Sequence, residues 1–314
     1  MGIADGCRVT LDNEPWWNEP QGMSEQGIKT TLLTSAHRYY LNNTLWTSHP
    51  DLLFFRDDYG LTKDEATAWT LFVAIYSGIF KLGESFVFMH EHPDALALTQ
   101  KFLPTVAAVP EPLDLFELRF PEVWRLRVPG PDKRMHEVYG LFHWGKNRDV
   151  GEGKDYDESD RVKVIPADAG QMRVALDFLA GEVLAEGGKA LRVGPIGAPM
   201  KARTGKIVIV KPVAAGLELP VFLATDRHFL GGVMDAESLD ASGGKTTVRL
   251  ARMVAGRPTR AYFLVPAQGK VEVAGQQVAI SGVKEAAFAD SKLVEVSFVP
   301  EAGGGVLTVQ VGGL

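Results

Sequence analysis

A polar turn that contains His49 and Asp51 precedes an apolar run at residues 52–55. A charged segment and a second turn follow. A helix is then predicted to begin behind Thr62, where Glu65 completes a capping box. Apolar residues recur along this helix at helical spacing, so we expect one broad buried face. This order is typical of one unit of a parallel α/β layer, in which polar residues at strand ends carry the chemistry. His49 and Asp51 are therefore candidate functional residues, and a simple turn contact is the alternative for each.

A second carboxylate follows a predicted strand near the N-terminus. Residues 7–11 form this short strand, which delivers Asp12 to its end. Turn-forming residues come next, and Trp16 and Trp17 place two large aromatic side chains beside the carboxylate. The alternatives are a surface or helix-capping role for Asp12 and burial in the core for the two tryptophans. Asp12 is therefore another candidate functional residue, because it lies at the end of a predicted strand.

Length and composition exclude several classes of protein. The 314 residues are 46% hydrophobic, which is enough for a substantial core and for two domains. The net charge is −6, with 33 Lys and Arg against 39 Asp and Glu, and no basic stripe indicates a nucleic-acid or membrane-surface binder. Cys7 is the only cysteine, so an intramolecular disulfide is excluded and a reducing compartment is favoured.

The sequence contains no pattern typical of export or of membrane insertion. The first residues lack the regions of a signal peptide, and no apolar run reaches the roughly 18 residues of a membrane span. These features predict a soluble, cytoplasmic protein. A signal encoded upstream of Met1 would not be visible in this sequence.

The character of the chain changes near residue 115. Before it, helices are predicted from Ser24 to about Tyr40, behind Thr62, and from Pro93 to Pro104. After it come short apolar runs broken by Gly, Pro and Asp, which favour an antiparallel sandwich. They occupy residues 138–144, 161–165, 207–210, 247–250, 261–265 and 306–311. Residues 171–186 are an exception with helical spacing. The predicted domains are therefore residues 1–115 and 116–314, with a possible extra β-module from about residue 236.

The N-terminal domain has too few strands to be complete. Two parallel strands with three helices leave an open sheet edge and an uncovered core. A (β/α)₈ barrel needs about 250 residues. We therefore expect residues 1–115 to be the closing part of a TIM barrel, whose opening strands lie in a longer parent chain, in a partner subunit or in a lost gene segment.

Several segments, in matching order, resemble one family of enzymes. IADGCRVTLDNEPWW is similar to the strand-end segment of the clan-D glycoside hydrolases, the melibiase-type α-galactosidases of the family 36 type, with their Arg-x-x-x-Asp motif and Pro-aromatic pair. LWTSHPDLLFFRDDYGLTKDEA resembles their Trp-x-Asn-Asp-Pro-Asp segment and the helix that follows. PLDLFELRFPEVWRL and ATDRHFLGG resemble the end of the barrel and the appended sandwich. The resemblance covers most of residues 1–235.

The resemblance implies a role for each candidate residue. Asp12 stands where the family has the general acid/base of a retaining glycosidase, which needs a raised pKa that apolar neighbours could provide. Arg8 and Asp51 would bind sugar hydroxyls, and Trp16 or Trp17 would stack on the sugar. The strand that bears the Asp nucleophile falls outside this chain.

Two departures from the family pattern lie in the implied pocket. Ser48-His49 stands where the family has Asn-Asp, which makes His49 a candidate substrate contact in place of a carboxylate. Gly83-Glu84-Ser85 replaces the family's Ser-Asp-Asp. Both departures favour a relative that acts on another α-linked sugar rather than on galactose.

Three functions remain open from the sequence. The chain is part of an α-galactosidase-like hydrolase that an N-terminal complement completes, a carbohydrate-binding remnant without hydrolysis, or an inactive truncated product. No cofactor is indicated. His90-Glu91-His92 resembles a metal cluster, but the start of a helix at Pro93 explains His92 as a cap, so we predict no metal site. The expected ligand is an oligosaccharide or α-glycoside.

Overall fold

The computed structural model describes residues 5–18, 27–58, 60–131, 133–145, 158–168, 170–214, 217, 220–301 and 303–312. Its contacts divide the chain into two units. Unit 1 comprises Met1–Arg127, Tyr139–Val164 and Ala198–Ile207, and unit 2 comprises Val128–Val138, Ile165–Gly197 and Val208–Leu314. The domain boundary near residue 115 stays a prediction. Ser24, the predicted helix cap, lies outside the described residues.

The helices of the described residues all belong to unit 1. They are α1 (Ile28–His37), α2 (Lys63–Tyr76), α3 (Phe86–Glu91) and α4 (Pro93–Gln100), with a 3₁₀ turn at Tyr39–Leu41. The first predicted helix thus ends three residues earlier than expected. The helix predicted behind His92 is α4, and the short helix α3 before it was not predicted.

The rest of the described chain is mostly β-structure. The strands are β1 (Gly6–Arg8), β2 (Thr47–His49), β3 (Leu52–Leu53), β4 (Lys81–Leu82), β5 (Glu111–Pro112), β6 (Val123–Pro129), β7 (Met135–His143), β8 (Arg161–Ile165), β9 (Arg173–Asp177), β10 (Glu182–Val183), β11 (Ile196–Met200), β12 (Thr204–Pro212), β13 (Val221–Thr225), β14 (Ala236–Ser242), β15 (Lys245–Leu250), β16 (Thr259–Pro266), β17 (Lys270–Gln276), β18 (Val278–Ala287), β19 (Ser291–Pro300) and β20 (Gly305–Gly312). The six strands that the sequence predicts after residue 115 are all present, within a few residues at each end.

The first strands of unit 1 are parallel and alternate with helices. β1 pairs with β2, with Arg8 opposite His49, and β3 pairs with β4. Two further hydrogen bonds, from the N–H of Ile79 to the carbonyl of Ser48 at 2.8 Å and from that of Gly83 to Leu53 at 2.8 Å, extend the second pairing. The segment with β2 and β3 therefore lies between β1 and β4, and α1 and α2 are the crossovers. These are two consecutive βαβ units.

Helix α2 begins at the predicted capping box, which the structure confirms. The Thr62 hydroxyl accepts from the N–H of Glu65 at 3.2 Å, and the Glu65 carboxylate accepts from the N–H of Thr62 at 2.9 Å. The helix ends at Tyr76, because Ser77 adopts a left-handed conformation with a φ of 59°. Eleven of its 14 residues are buried, so the expectation of a single buried face was too narrow.

An aromatic cluster of unit 1 explains this burial. Phe72 of α2 has no exposed surface, and its ring contacts five aromatic rings at centroid distances of 5.3–6.1 Å. These are the rings of Trp69, Tyr76, Trp124, Phe142 and Trp144. Aromatic packing of this kind contributes both buried area and favourable edge-to-face contacts.

Antiparallel sheets follow. One has six strands in the order β10-β9-β12-β7-β6-β5, and β8 pairs with β11 in a two-stranded sheet. The helical spacing at residues 171–186 was misleading, since this segment contains β9 and β10. All five residues of β9 are buried. A strand that is buried on both faces lacks the alternation of buried and exposed residues that would separate it from a helix.

Unit 2 contains a sandwich of two four-stranded antiparallel sheets. Their orders are β13-β16-β19-β18 and β14-β15-β20-β17, and residues of both sheets form one apolar core that includes Phe263, Val294, Val309 and Leu307. The start of an extra β-module suggested near residue 236 coincides with β14, the second strand of this sandwich. Among the described residues, no helix combines the length and apolar character of a membrane-crossing segment.

Asp235 of unit 2 is expected to make stability depend on pH. Burial raises the pKa of its carboxyl to about 6, although Thr225 donates a hydrogen bond to it. The folded state therefore holds the proton more tightly than the unfolded state, so this contribution is present at low pH and is lost as the pH rises through about 6. When the pH is lowered from 7.5 to 4.5, the free energy of unfolding of the wild type should rise by about 2 kcal/mol relative to that of Asp235→Asn.

Denaturant unfolding of both proteins across this pH range measures the difference directly. Asp240→Asn, at an exposed position of β14, controls for the loss of one surface carboxylate. Parallel pH profiles of the wild type and Asp235→Asn would contradict the assignment.

Candidate functional site

The polar residues chosen from the sequence lie where the parallel strands of unit 1 end. Arg8 is the last residue of β1 and His49 the last of β2, and the two stand opposite each other in the register. Asp51 follows two residues after β2, and Asp12 four residues after β1. Because both strands run in the same direction, these residues occupy one edge of the pair.

Arg8 joins the two carboxylates of this edge. Its guanidinium contacts the Asp12 carboxylate, and Nη1 also lies 3.7 Å from Oδ2 of Asp51. The side chains differ in exposure, with 44% for Arg8, 71% for Asp12 and 6% for Asp51. Ion pairs thus join three of the six predicted site residues, and the Arg8 guanidinium lies between the carboxylates of Asp12 and Asp51.

Asn13 fixes Asp51 in place. Its backbone N–H donates to Oδ2 of Asp51 at 2.8 Å, its Nδ2 donates to the carbonyl of Leu52 at 3.0 Å, and its Oδ1 accepts from the N–H of Leu52 at 3.1 Å. Asp51 has a φ of 82°, a conformation that costs energy for a residue other than glycine. The clamp by Asn13 holds the buried carboxylate in this conformation.

His49 is buried beside this clamp, with 8% of its surface exposed. Burial lowers the pKa of its imidazole, and Lys81 and Arg8 lower it further, while the nearby Asp51 acts in the opposite direction. Burial therefore favours the neutral form of the ring. Among the described residues its Nε2 has no hydrogen-bond partner. A buried polar atom without a partner is a free-energy cost that a ligand or a water molecule would offset.

The two tryptophans differ in exposure. Trp17 is 4% exposed, its indole N–H donates to the carbonyl of Trp144 at 3.2 Å, and the two rings lie 5.9 Å apart. Trp17 is therefore a core residue, which is the alternative that the sequence left open, and it presents no open face for stacking. Trp16 is half-buried and keeps part of its surface accessible. The Asp12 side chain is 71% exposed, so the described residues do not provide the apolar cover expected over it.

A second ion pair lies at the ends of β3 and β4. The Glu84 side chain is 2% exposed, and its carboxylate lies 3.0 Å from Nε of Arg56 and accepts from the N–H of Phe55 at 2.8 Å. Sequence reasoning noted Glu84 only as a departure from a family pattern. Asn13 was predicted only as a turn residue, and its contacts with Asp51 and Leu52 were missed.

His92 occupies the N-cap position of α4, as predicted, but its side chain does not cap the helix. The ring stacks on Phe88 at 3.9 Å, and Nδ1 lies 2.9 Å from the carbonyl of that residue. Within the part of the chain that the structure describes, no group of three or more His, Cys, Asp or Glu side chains is arranged to hold a metal ion.

Comparisons with family models and with curated proteins give no match. Among solved structures, the chain is similar to α-galactosidase I from Mortierella vinacea, with 10% identity and a TM-score of 0.44 over 66% of this chain and 53% of that one. It is also similar to the isomalto-dextranase of Arthrobacter globiformis T6 complexed with panose, with 13% identity, a TM-score of 0.41, and coverage of 98% and 56%. The α-galactosidase of Saccharomyces cerevisiae with raffinose has 11% identity, a TM-score of 0.40, and coverage of 67% and 60%.

The chain spans little more than half the length of these solved structures. The structural neighbours are thus glycoside hydrolases of low identity and partial coverage. Similarity at this level assigns no activity to the chain.

Proposed function

We propose that this chain is part of a retaining α-glycoside hydrolase of the clan-D, α-galactosidase-like type. In this proposal residues 1–115 are the closing strands and helices of a (β/α)₈ barrel, and a separate N-terminal portion supplies the first strands together with the nucleophile. The chain described here provides the general acid/base and one wall of the sugar pocket.

One observation carries the proposal, which is that Arg8 contacts Asp12 and lies close to Asp51 at the ends of adjacent parallel strands. Catalytic groups of (β/α)₈ enzymes stand at the carboxyl ends of the strands. The two consecutive βαβ units support the same architecture, because their edge strand β1 has only one neighbour among the described strands.

Each side chain has a defined task in the proposed reaction. Asp12 protonates the leaving-group oxygen and then removes a proton from the attacking water, and the nucleophile of the complement forms the glycosyl-enzyme. Arg8 and Asp51 bind sugar hydroxyls as donor and acceptor. Trp16 offers the stacking face that Trp17 lacks. Because Asp12 is exposed here, the protonated carboxyl required of an acid depends on the bound sugar and on the complement to exclude water.

His49 bears on the choice of sugar. Its imidazole has an enclosed Nε2 without a partner among the described residues, and a sugar hydroxyl would satisfy it if the ring turned toward the pocket. A carboxylate at this position would instead accept two hydroxyl hydrogen bonds. We therefore propose an α-linked sugar that differs from galactose at the hydroxyl facing His49.

The test is reconstitution. The chain is mixed with, or fused to, the N-terminal barrel portion of a clan-D α-galactosidase that contains a Lys-x-Asp strand, and assembly is checked by co-elution. Hydrolysis of aryl α-galactoside and of other aryl α-glycosides is then measured. We expect no turnover by either part alone and turnover by the assembly. An assembly that forms but hydrolyses none of these substrates would overturn the enzymatic proposal.

The exposure of Asp12 and its ion pair with Arg8 favour one second candidate, a carbohydrate-binding protein without hydrolysis. An exposed carboxylate paired with a guanidinium is suited to accept hydrogen bonds from sugar hydroxyls rather than to donate a proton. Saturable binding of an α-glycoside in calorimetry, with no hydrolysis by the assembly, would support this candidate.

A further inference from the structure

Asn13 connects the two segments that follow β1 and β2. The backbone pairing of these strands continues to a hydrogen bond from the N–H of Val9 to the carbonyl of His49 at 3.2 Å. Beyond that bond the segment after β1 is no longer a strand, and the side chain of Asn13 makes the connection. Its Nδ2 donates to the carbonyl of Leu52 at 3.0 Å, and its Oδ1 accepts from the N–H of the same residue at 3.1 Å. A carboxamide carries a donor and an acceptor, so it bonds Leu52 as a peptide group of a neighbouring strand would.

Leu52 is itself attached to helix α2. The indole N–H of Trp69, a residue of α2 with no exposed surface, donates to the carbonyl of Leu52 at 2.9 Å. This carbonyl therefore accepts two hydrogen bonds, one from Trp69 and one from Asn13. The Trp69 ring stacks on Phe72 at a centroid distance of 5.5 Å and so belongs to the aromatic cluster of unit 1. A closely packed helix thus gives the loop that contains Asn13 a fixed point of attachment.

Both candidate carboxylates are next to this connection in the chain. Asp12 directly precedes Asn13, and Asp51 directly precedes Leu52. The backbone N–H of Asn13 also donates to Oδ2 of Asp51 at 2.8 Å. Asn13 is 4% exposed, and both polar atoms of its side chain bond to Leu52. The residue is therefore suited to fix the backbone of Asp12 relative to the carboxylate of Asp51 rather than to bind a sugar.

We propose that Asn13 is a positioning residue for glycoside hydrolysis, which sets the place of the acid/base Asp12 relative to the sugar that Asp51 binds. This inference rests on the proposed function. Proton transfer requires hydrogen-bond distance, and a displacement of about 1 Å can cost about 10²-fold in rate. The ion pair of Asp12 with Arg8 is exposed and restrains the carboxylate weakly, so the attachment of the backbone through Asn13 carries more of the positioning.

Kinetics of the reconstituted assembly test this role. Asn13→Ala removes both side-chain hydrogen bonds to Leu52, and kcat for an alkyl α-glycoside should fall about 10²-fold per assembled complex. An aryl glycoside with an acidic leaving group depends less on proton transfer, so its loss should be smaller. In an Asp12→Asn background the same substitution should add no more than about twofold, because Asn13 acts through Asp12.

Two further variants separate positioning from a general loss of stability. Asn42 of the same unit is fully buried and makes the same pair of bonds, since its Nδ2 donates to the carbonyl of Tyr76 at 2.6 Å and its Oδ1 accepts from the N–H of Ser48 at 2.8 Å. Asn42→Ala should lower the denaturant midpoint at least as much as Asn13→Ala, and it should leave the ratio of alkyl to aryl kcat unchanged. Asn13→Asp keeps the shape and the acceptor but loses the donor to Leu52. It should show the same selective loss to a smaller extent, even if Asn13→Ala does not fold.

Three results with an active assembly would overturn the inference. They are a kcat for the alkyl glycoside within about twofold of the wild type in Asn13→Asp and Asn13→Ala, an equal loss for alkyl and aryl glycosides, or an undiminished further loss in the Asp12→Asn background. A wild-type assembly that forms without any turnover would instead overturn the proposed function, and this inference with it.

Discussion

Asp12→Asn is expected to abolish most of the hydrolytic activity of the reconstituted enzyme. General acid/base catalysis typically contributes about 10²–10⁴-fold to a rate, and asparagine cannot exchange the proton. The loss should depend on the leaving group. A glycoside of an alkyl alcohol needs protonation of its leaving oxygen, so it should lose the full factor. An aryl glycoside with an acidic phenol needs little assistance in the first step, so its loss should be smaller.

A second readout separates this role from a structural one. Without a general base, hydrolysis of the glycosyl-enzyme slows, and an anionic nucleophile such as azide, which needs no base, should restore turnover of the aryl substrate. Asp58→Asn, in an exposed turn of the same unit, should leave the rate unchanged. The ion pair with Arg8 is exposed, so its loss should cost less than about 1 kcal/mol of stability. Unreduced hydrolysis of an alkyl glycoside by Asp12→Asn would overturn the assignment.

Phe72→Ala is expected to have the largest effect on stability, with a loss of about 3–5 kcal/mol in the free energy of unfolding. The side chain is fully buried, and its ring contacts five other aromatic rings. Its removal leaves a cavity that these large, rigid neighbours cannot close. Denaturant unfolding followed by far-UV circular dichroism measures the effect, since the helical signal of the described chain comes from unit 1.

Two substitutions control for this result. Phe116 is 100% exposed, so Phe116→Ala should change the free energy by less than about 0.5 kcal/mol. Phe72→Leu retains part of the apolar volume and should lose less than Phe72→Ala. A loss below about 1 kcal/mol for Phe72→Ala would show that the cluster is not the packed centre of this unit.

Features of secondary structure that depend only on residues close together in sequence could be predicted. The capping box of Thr62 and Glu65 needs only a four-residue pattern, and it is formed as expected. Six strands, β7, β8, β12, β15, β16 and β20, carry apolar runs bounded by turn residues and were found on that basis. The two longest described strands, β18 and β19, were not predicted. Strand β4 was missed because it has only two residues. The end of α2 was also missed, because the apolar pattern of the helix continues past Ser77 to Ile79. A left-handed cap ended that helix, and spacing alone could not show it.

The residues of the candidate site could be predicted from the sequence, but several of their contacts could not. Asp12 and Asp51 were chosen for their positions at predicted strand ends and Arg8 from the family resemblance, and the three residues lie at neighbouring strand ends. The clamp by Asn13 was not predictable, because it joins residues 38 positions apart through backbone atoms. The burial of Trp17 depends on Trp144, which is 127 positions away. Contacts of this kind are set by tertiary packing, to which local sequence gives little access.

The concentration of aromatic packing in one unit has a spectroscopic consequence. All six tryptophans of the sequence, residues 16, 17, 46, 69, 124 and 144, lie within unit 1, and unit 2 has none. The intrinsic fluorescence of the chain, excited at a wavelength that tyrosine does not absorb, therefore reports on unit 1 alone. A tryptophan introduced into unit 2, as in Leu239→Trp of β14, would add a second source of emission. The difference between its unfolding curve and that of the wild type would then report on unit 2.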